Sequence, residues 1–193
     1  MHDRDGARQP KRFDPARAAR LDDPARFADL RPEDVLALLD APQGATVVDF
    51  GTGTGAYALE VARLRPDLRI VAFDEQPEML DYLRAKPAAT DRRLVIAGIE
   101  EIGAWNGAAD RILAINVFHE LGDAALGALA AMLARDGRAL VIDWNPEVDR
   151  PHGPGTDHLY APQEARDRLF TFGLITDRDA LFRYQYAIRC ARS

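Results

Sequence analysis

Cysteine is nearly absent: Cys190 stands alone, so no disulfide framework can be built within the chain. Long apolar runs are missing as well, none approaching the roughly 18 residues that a membrane-spanning helix needs. The first residues, Met1 to Asp5, are polar, so neither a signal peptide nor an anchor is expected and the chain reads as cytoplasmic. Basic excess is lacking: 25 Lys+Arg against 31 Asp+Glu leave a net charge of -6. That removes the usual electrostatic footprint of a nucleic-acid binder and disfavours a nucleic-acid partner. Histidines do not cluster, since His119-Glu120 has no second His at helical spacing and His2, His152 and His158 lie elsewhere, so no metal site is expected. What remains is 193 residues of ordinary globular composition, 47% hydrophobic, enough for one sizeable domain with a core.

The most informative stretch runs from Thr46 to Leu59. Thr46-Val47-Val48-Asp49-Phe50 is an apolar run interrupted by a carboxylate; Gly51-Thr52-Gly53-Thr54-Gly55 follows; Ala58, Leu59 and Ala62 then recur at helical spacing. This is strand, tight loop, helix. Glycine serves where the chain must turn off a strand and where a ligand must approach the backbone, and the free N–H groups of the following helix point at the same place. Two ligands suit such a loop. Gly51, Gly53 and Ala56, with Asp74 about 20 residues on, fit the looser dinucleotide fingerprint of a dehydrogenase. Asp49, however, ends the strand where a pyrophosphate would meet a like charge, and favours a cationic or donor-rich ligand.

The pattern Asp-x-Gly-x-Gly-x-Gly, formed by Asp49, Gly51, Gly53 and Gly55, resembles the first motif of class I S-adenosylmethionine-dependent methyltransferases of the small-molecule type. The resemblance runs from about Arg12 to the C-terminus and is most specific between Val47 and Asp74. It implies S-adenosylmethionine as cofactor and a Rossmann-like, doubly wound, mostly parallel seven-stranded sheet with a C-terminal antiparallel hairpin. The acceptor it implies is a small molecule. A protein that binds the cofactor without catalysis is the other alternative.

Along the chain, Met1 to Lys11 reads as a loose terminus. Two copies of Asp-Pro-Ala-Arg, from Asp14 and from Asp23, each place an N-cap before a proline and predict two short helices. A third helix carries Val35, Leu36, Leu38 and Leu39, and residues 1–44 together form a helical cover on the methyltransferase domain at 45–193. Strands are predicted at Arg69–Asp74, Arg93–Ala97, Asp110–Asn116 and Arg138–Trp144, with a helix from Gly122 to Arg135. Strands alternating with helices imply a parallel sheet covered on both sides. Phe182, Tyr184, Tyr186, Ile188 and Cys190 alternate with polar residues and predict a last strand with one wet face.

Ligands in such sheets bind beyond the carboxyl ends of the strands. Asp74 ends the second strand, where a carboxylate can accept from both hydroxyls of a ribose, and the resemblance implies that role. Glu75 is a possible helper, and Met79 either lies against the adenine or packs in the core. After the third strand stands Gly98-Ile99-Glu100, where the family often has an acidic residue; adenine recognition then falls to the backbone of Gly98 and Ile99 or to Glu100. Asn116-Val117-Phe118-His119-Glu120-Leu121 resembles the family stretch Asn-x-x-His-x-Leu. That implies Asn116 beside the methionine part of the cofactor and His119 facing the acceptor. An imidazole can take the acceptor's proton near neutral pH, although a structural histidine is the plainer alternative. Trp144, at a strand end, is expected to line the acceptor pocket, and the Pro- and Gly-rich loop from Asn145 to Thr156 forms a wall or a surface connection.

Overall fold

Val47 and Val48 are both almost wholly buried, although consecutive strand residues face opposite ways. A strand buried on both faces belongs in the middle of a covered sheet, and the computed structural model, which describes residues 12–193, places it there. The expected loose terminus lies outside the described residues. The strands are β1 (Thr46–Phe50), β2 (Arg69–Phe73), β3 (Leu94–Ala97), β4 (Ala109–Ile115), β5 (Leu133–Trp144), β6 (Leu174–Leu181) and β7 (Gln185–Arg192). They form one sheet in the order β3-β2-β1-β4-β5-β7-β6. β1 to β5 pair in parallel, and β7 pairs antiparallel with both β5 and β6. The order reverses between β1 and β4, which opens the crevice at their carboxyl ends.

Helices cover both faces. Those described are α1 (Arg26–Asp29), α2 (Pro32–Leu39), α3 (Ala56–Leu64), α4 (Pro77–Arg84), α5 (Asp123–Met132) and α6 (Pro162–Thr171). On one face Val48, Phe50, Ile112 and Val141 pack with Leu126 and Leu129 of α5 and Leu169 of α6. On the other, Val47, Ile70, Leu113 and Leu140 pack with Val35 and Leu39 of α2 and Val61 of α3. Truncating one such leucine to alanine removes about 2–5 kcal/mol.

Four local readings are corrected. The segment after Asp14 is a 3-10 helix, Pro15–Asp22, and the one after Asp23 is the single turn α1. Asp14 and Asp23 nevertheless accept from the N–H groups of Ala16 and Ala25 as caps. α5 ends at Met132 and β5 begins at Leu133, because Leu133 pairs with Ala109 and the ladder shifts register before Arg111 meets Arg138. Asp136-Gly137, a turn by composition, sits inside that irregular strand. Finally, Phe182 and Tyr184 lie in the hairpin connection, where the Phe182 N–H donates to the Gln185 carbonyl at 2.8 Å. β7 has no continuous wet face: flanked by β5 and β6, it buries Gln185 and Ala187 as well as Tyr186 and Ile188.

Candidate active site

The loop leaving β1 is tied down by backbone and carboxylates. The N–H groups of Gly51 and Thr52 both donate to the Phe73 carbonyl at 2.8 Å. The Gly53 N–H donates to Asp74 Oδ2 at 2.8 Å and the Gln76 N–H to Asp74 Oδ1 at 2.9 Å, so Asp74 joins the ends of β1 and β2. Gly51, Gly53 and Gly55 all have positive φ, and the structure revises why glycine is needed. A Cβ on Gly55 would strike Leu83 of α4, and one on Gly53 would lie 3.1 Å from Leu21 and 3.5 Å from Met79. Packing against side chains and the left-handed backbone impose these glycines.

Asp49 is fully buried. It accepts the Thr52 hydroxyl at 2.7 Å and is further stabilised by the Ala58 N–H in the first turn of α3. The carboxylate thus occupies the helix end that a pyrophosphate would use. Burial, only partly offset by the Thr52 hydroxyl, pushes its carboxyl up to about 6. Burial likewise raises the Asp74 carboxyl, against the opposing hydrogen bonds from Gln76 and Gly53.

A cavity of about 1080 Å³ opens over these strand ends. Of the residues singled out in the sequence, Asp49, Gly51, Thr52, Gly53, Asp74, Glu75, Met79, Ile99, Asn116, His119 and Trp144 line it, whereas Gly55 and Gly98 do not. The Gly98 N–H donates to Glu101 Oε2 at 2.9 Å. Glu100 does not line the cavity either; Ile99 and Ile102 do. Asn116 is held with φ 55 at the end of β4, and its Oδ1 is buried without a hydrogen-bond partner. An unfilled buried acceptor facing a cavity is a place for a donor on a ligand.

Opposite the β1 loop, His119 is clamped by Asp143 of β5. Its backbone N–H donates to Asp143 Oδ2 at 2.7 Å, and Nδ1 lies 2.9 Å and 3.0 Å from the two carboxylate oxygens. A carboxylate only accepts, so Nδ1 carries the proton and Nε2 is left as an acceptor. Nε2 stands 3.5 Å from Glu120 Oε1. Burial alone would lower the imidazole pKa; the charge of Asp143 and its hydrogen bond overcome this and raise it. Glu120 has no role that the sequence alone assigns. It lines the cavity, and burial pushes its carboxyl up to about 7, with the charge of His119 and the Phe13 N–H opposing. Asp143 was legible only as the residue before Trp144.

The N-terminal segment roofs the cavity. The Phe13 N–H donates to Glu120 Oε2 at 2.8 Å, Arg12 pairs with Glu75 at 2.9 Å, and the Tyr57 hydroxyl donates to the Leu30 carbonyl at 2.7 Å. Asp22 accepts both the Thr54 hydroxyl and Lys86 Nζ at 2.6 Å. Arg17 and Arg20 line the cavity mouth. The loop after β5 contributes His152, Gly153, Pro154 and Gly155 to the wall.

Comparison with known proteins agrees with this geometry. Residues 47–137 match a family described as the methyltransferase domain. The demethylmenaquinone methyltransferase of Thermus thermophilus is 31% identical over 153 residues, which are 77% of this chain and 67% of that protein. The release factor glutamine methyltransferase of Mycolicibacterium smegmatis is 35% identical over 75 residues, 37% of this chain; the match spans about a quarter of that relative, 27% of its length. The crystal structure of a SAM-dependent methyltransferase from Aquifex aeolicus superposes with a TM-score of 0.85 at 27% identity, covering 93% of this chain and 98% of that one. The chain therefore belongs to the class I S-adenosylmethionine-dependent methyltransferases, enzymes whose cofactor is S-adenosylmethionine.

Proposed function

We propose that this protein methylates a small-molecule acceptor whose ionisable proton is taken up by the His119–Glu120 pair. The observation that carries the reading is His119, oriented by buried Asp143 and lining the same cavity as Asp74 and Asn116. S-adenosylmethionine, when bound, supplies an electrophilic methyl carbon on a sulfonium: the acceptor's lone pair forms the new bond to carbon while sulfur keeps the old bonding pair. The acceptor's proton goes to His119 Nε2 or to Glu120, so the charges balance.

The residues suit that cofactor. Asp74 accepts backbone N–H groups at both oxygens, from Gly53 and Gln76, with Glu75 adding to them, and its carboxylate keeps acceptor capacity for a ribose hydroxyl. Asn116 Oδ1 has no donor and would take one from the ammonium of the methionine part, with Asp49 supplying negative charge nearby. Met79, Ile99 and Ile102 offer an apolar slot in which the adenine is held by contact and not by a carboxylate. No nucleophile is needed; the cavity positions the two reactants and keeps water out. Because the T. thermophilus relative is named for demethylmenaquinone, a ring acceptor is the first class to test.

The experiment is a radiolabel transfer from methyl-labelled S-adenosylmethionine into cell extract separated by size. Label in the low-molecular-weight fraction, lost in His119→Ala while S-adenosylhomocysteine binding persists, is the expected result. Label confined to protein or nucleic acid would overturn the proposal.

A further inference from the structure

Away from Asn116, the cavity wall holds a second buried amide whose oxygen is unfilled. Gln185, the first residue of β7, is 2% exposed, lines the cavity, and its Oε1 has no hydrogen-bond partner. An amide oxygen left unpaired in the interior is costly, so its place invites a donor from outside the chain. Its position is fixed by the fold, since its own carbonyl accepts the Phe182 N–H and closes the hairpin from β6. Across the β5–β7 ladder Gln185 is the partner of Trp144, and directly opposed strand residues present their side chains next to each other on one face.

That neighbour is aromatic and lines the cavity together with His152, which Tyr184 backs without lining it. The His152 ring meets Trp144 edge-on at 5.5 Å and 89°, and Tyr184 meets His152 at 5.7 Å and 74°. Arg150 lies 5.7 Å from the centre of the Trp144 ring, on the side of the loop after β5. Such a wall takes a flat ring. Charges of both signs surround the cavity: Glu120 and Asp29 line it with Arg17, Arg20 and Arg26, and Arg150 stands by the Trp144 ring. Gln185 itself carries no charge, and a neutral hydroxyl on the ring is a donor that its oxygen can accept.

We propose that Gln185 and Trp144 form the acceptor subsite, and that the acceptor is a planar ring of the phenol or hydroquinone class carrying a second, unreacting hydroxyl. The ring lies against Trp144, the unreacting hydroxyl donates to Gln185 Oε1, and the reacting edge faces His119. This inference rests on the reading of the cavity as a methyl-transfer site, and the test separates the two.

The chain has two tryptophans, so Trp105→Phe leaves Trp144 as the single indole reporter. Into that protein, saturated with S-adenosylhomocysteine, 1,3-dihydroxynaphthalene is titrated and quenching of Trp144 fluorescence is followed, with 1,3-dimethoxynaphthalene as the ring that lacks donors. The diol should quench saturably and bind at least tenfold more tightly than the diether. Gln185→Met, which keeps length but removes the oxygen, should erase that preference, with S-adenosylhomocysteine affinity unchanged within twofold. Gln185→Leu should do the same, and serves if the Met variant does not fold. Equal affinity for diol and diether in the starting protein, or an undiminished preference in a folded Gln185 variant, would overturn the subsite. Failure of the unsubstituted protein to bind S-adenosylhomocysteine would instead strike the underlying functional reading, and the subsite with it.

Discussion

Replacing Glu120 by Gln tests the electrostatics of the site without emptying it. The amide oxygen can still accept from the Phe13 N–H, which donates to Glu120 at 2.8 Å, and the volume is nearly the same. What disappears is a carboxyl that burial raises from 4.5 to about 7, against the opposing pull of His119 and the Phe13 N–H. In the window between those two values the folded protein holds a proton that the unfolded chain has released, so stability falls as pH rises through it. At about 1.4 kcal/mol per unit the shift corresponds to about 3 kcal/mol. Glu120→Gln should therefore gain up to about 3 kcal/mol over the parent above pH 7 and nothing near pH 4. Asp49, Asp74 and His119 act in the same sense and remain in the variant. Asp49, raised by burial from 3.8 to about 6, costs stability as pH rises between those values. The raised imidazole of His119 contributes stability that is full below its unfolded pKa and lost as pH passes its folded one. The variant's stability should thus still decline with pH, but less steeply. Urea unfolding at intervals from pH 4 to 8 reads this directly. Parallel curves for parent and variant would refute the reasoning.

Gly55→Ala should cost about 2 kcal/mol or more in chemical denaturation, because alanine at φ 79 is strained and its Cβ meets Leu83. S-adenosylhomocysteine affinity of the folded fraction should hardly move, since Gly55 does not line the cavity; a large affinity loss in a stable variant would contradict this placement. Hydrogen exchange should show the segment from Phe13 to Leu30 slowing when S-adenosylhomocysteine binds, because this roof touches the site through Glu120 and Glu75 yet contains only short helices. Exchange there that is unchanged, alongside clear protection of Gly51 to Gly55, would make the roof a static part of the fold.

The parts of this molecule that were legible in its sequence are those that local patterns encode. Val47-Val48-Asp49 followed by alternating glycines announces a strand, a loop and a helix, and Asp74 stands at the end of the next apolar run, so the β1–β2 side of the site could be placed residue by residue. The start of β5 was hidden because Asp136-Gly137 has turn composition, and only pairing of Leu133 with Ala109 draws that segment into the sheet. β7 was misplaced by three residues because Phe182 and Tyr184 alternate like strand residues while standing in the hairpin connection. Glu120 carries no local signal because a glutamate beside a histidine is ordinary until burial and Asp143, distant in the chain from both, give it meaning. Gln185 has no local signature at all; its unfilled oxygen is a product of the tertiary fold.

Asp74 ties both strand ends together and lines the cavity. Calorimetric titration of S-adenosylhomocysteine into the parent protein and into Asp74→Ala measures its part in holding the cofactor. The account predicts one site per chain and a loss of about 1.5–3 kcal/mol in the variant, the scale of hydrogen bonds to a charged group. A folded Asp74→Ala protein that binds S-adenosylhomocysteine as tightly as the parent would contradict it.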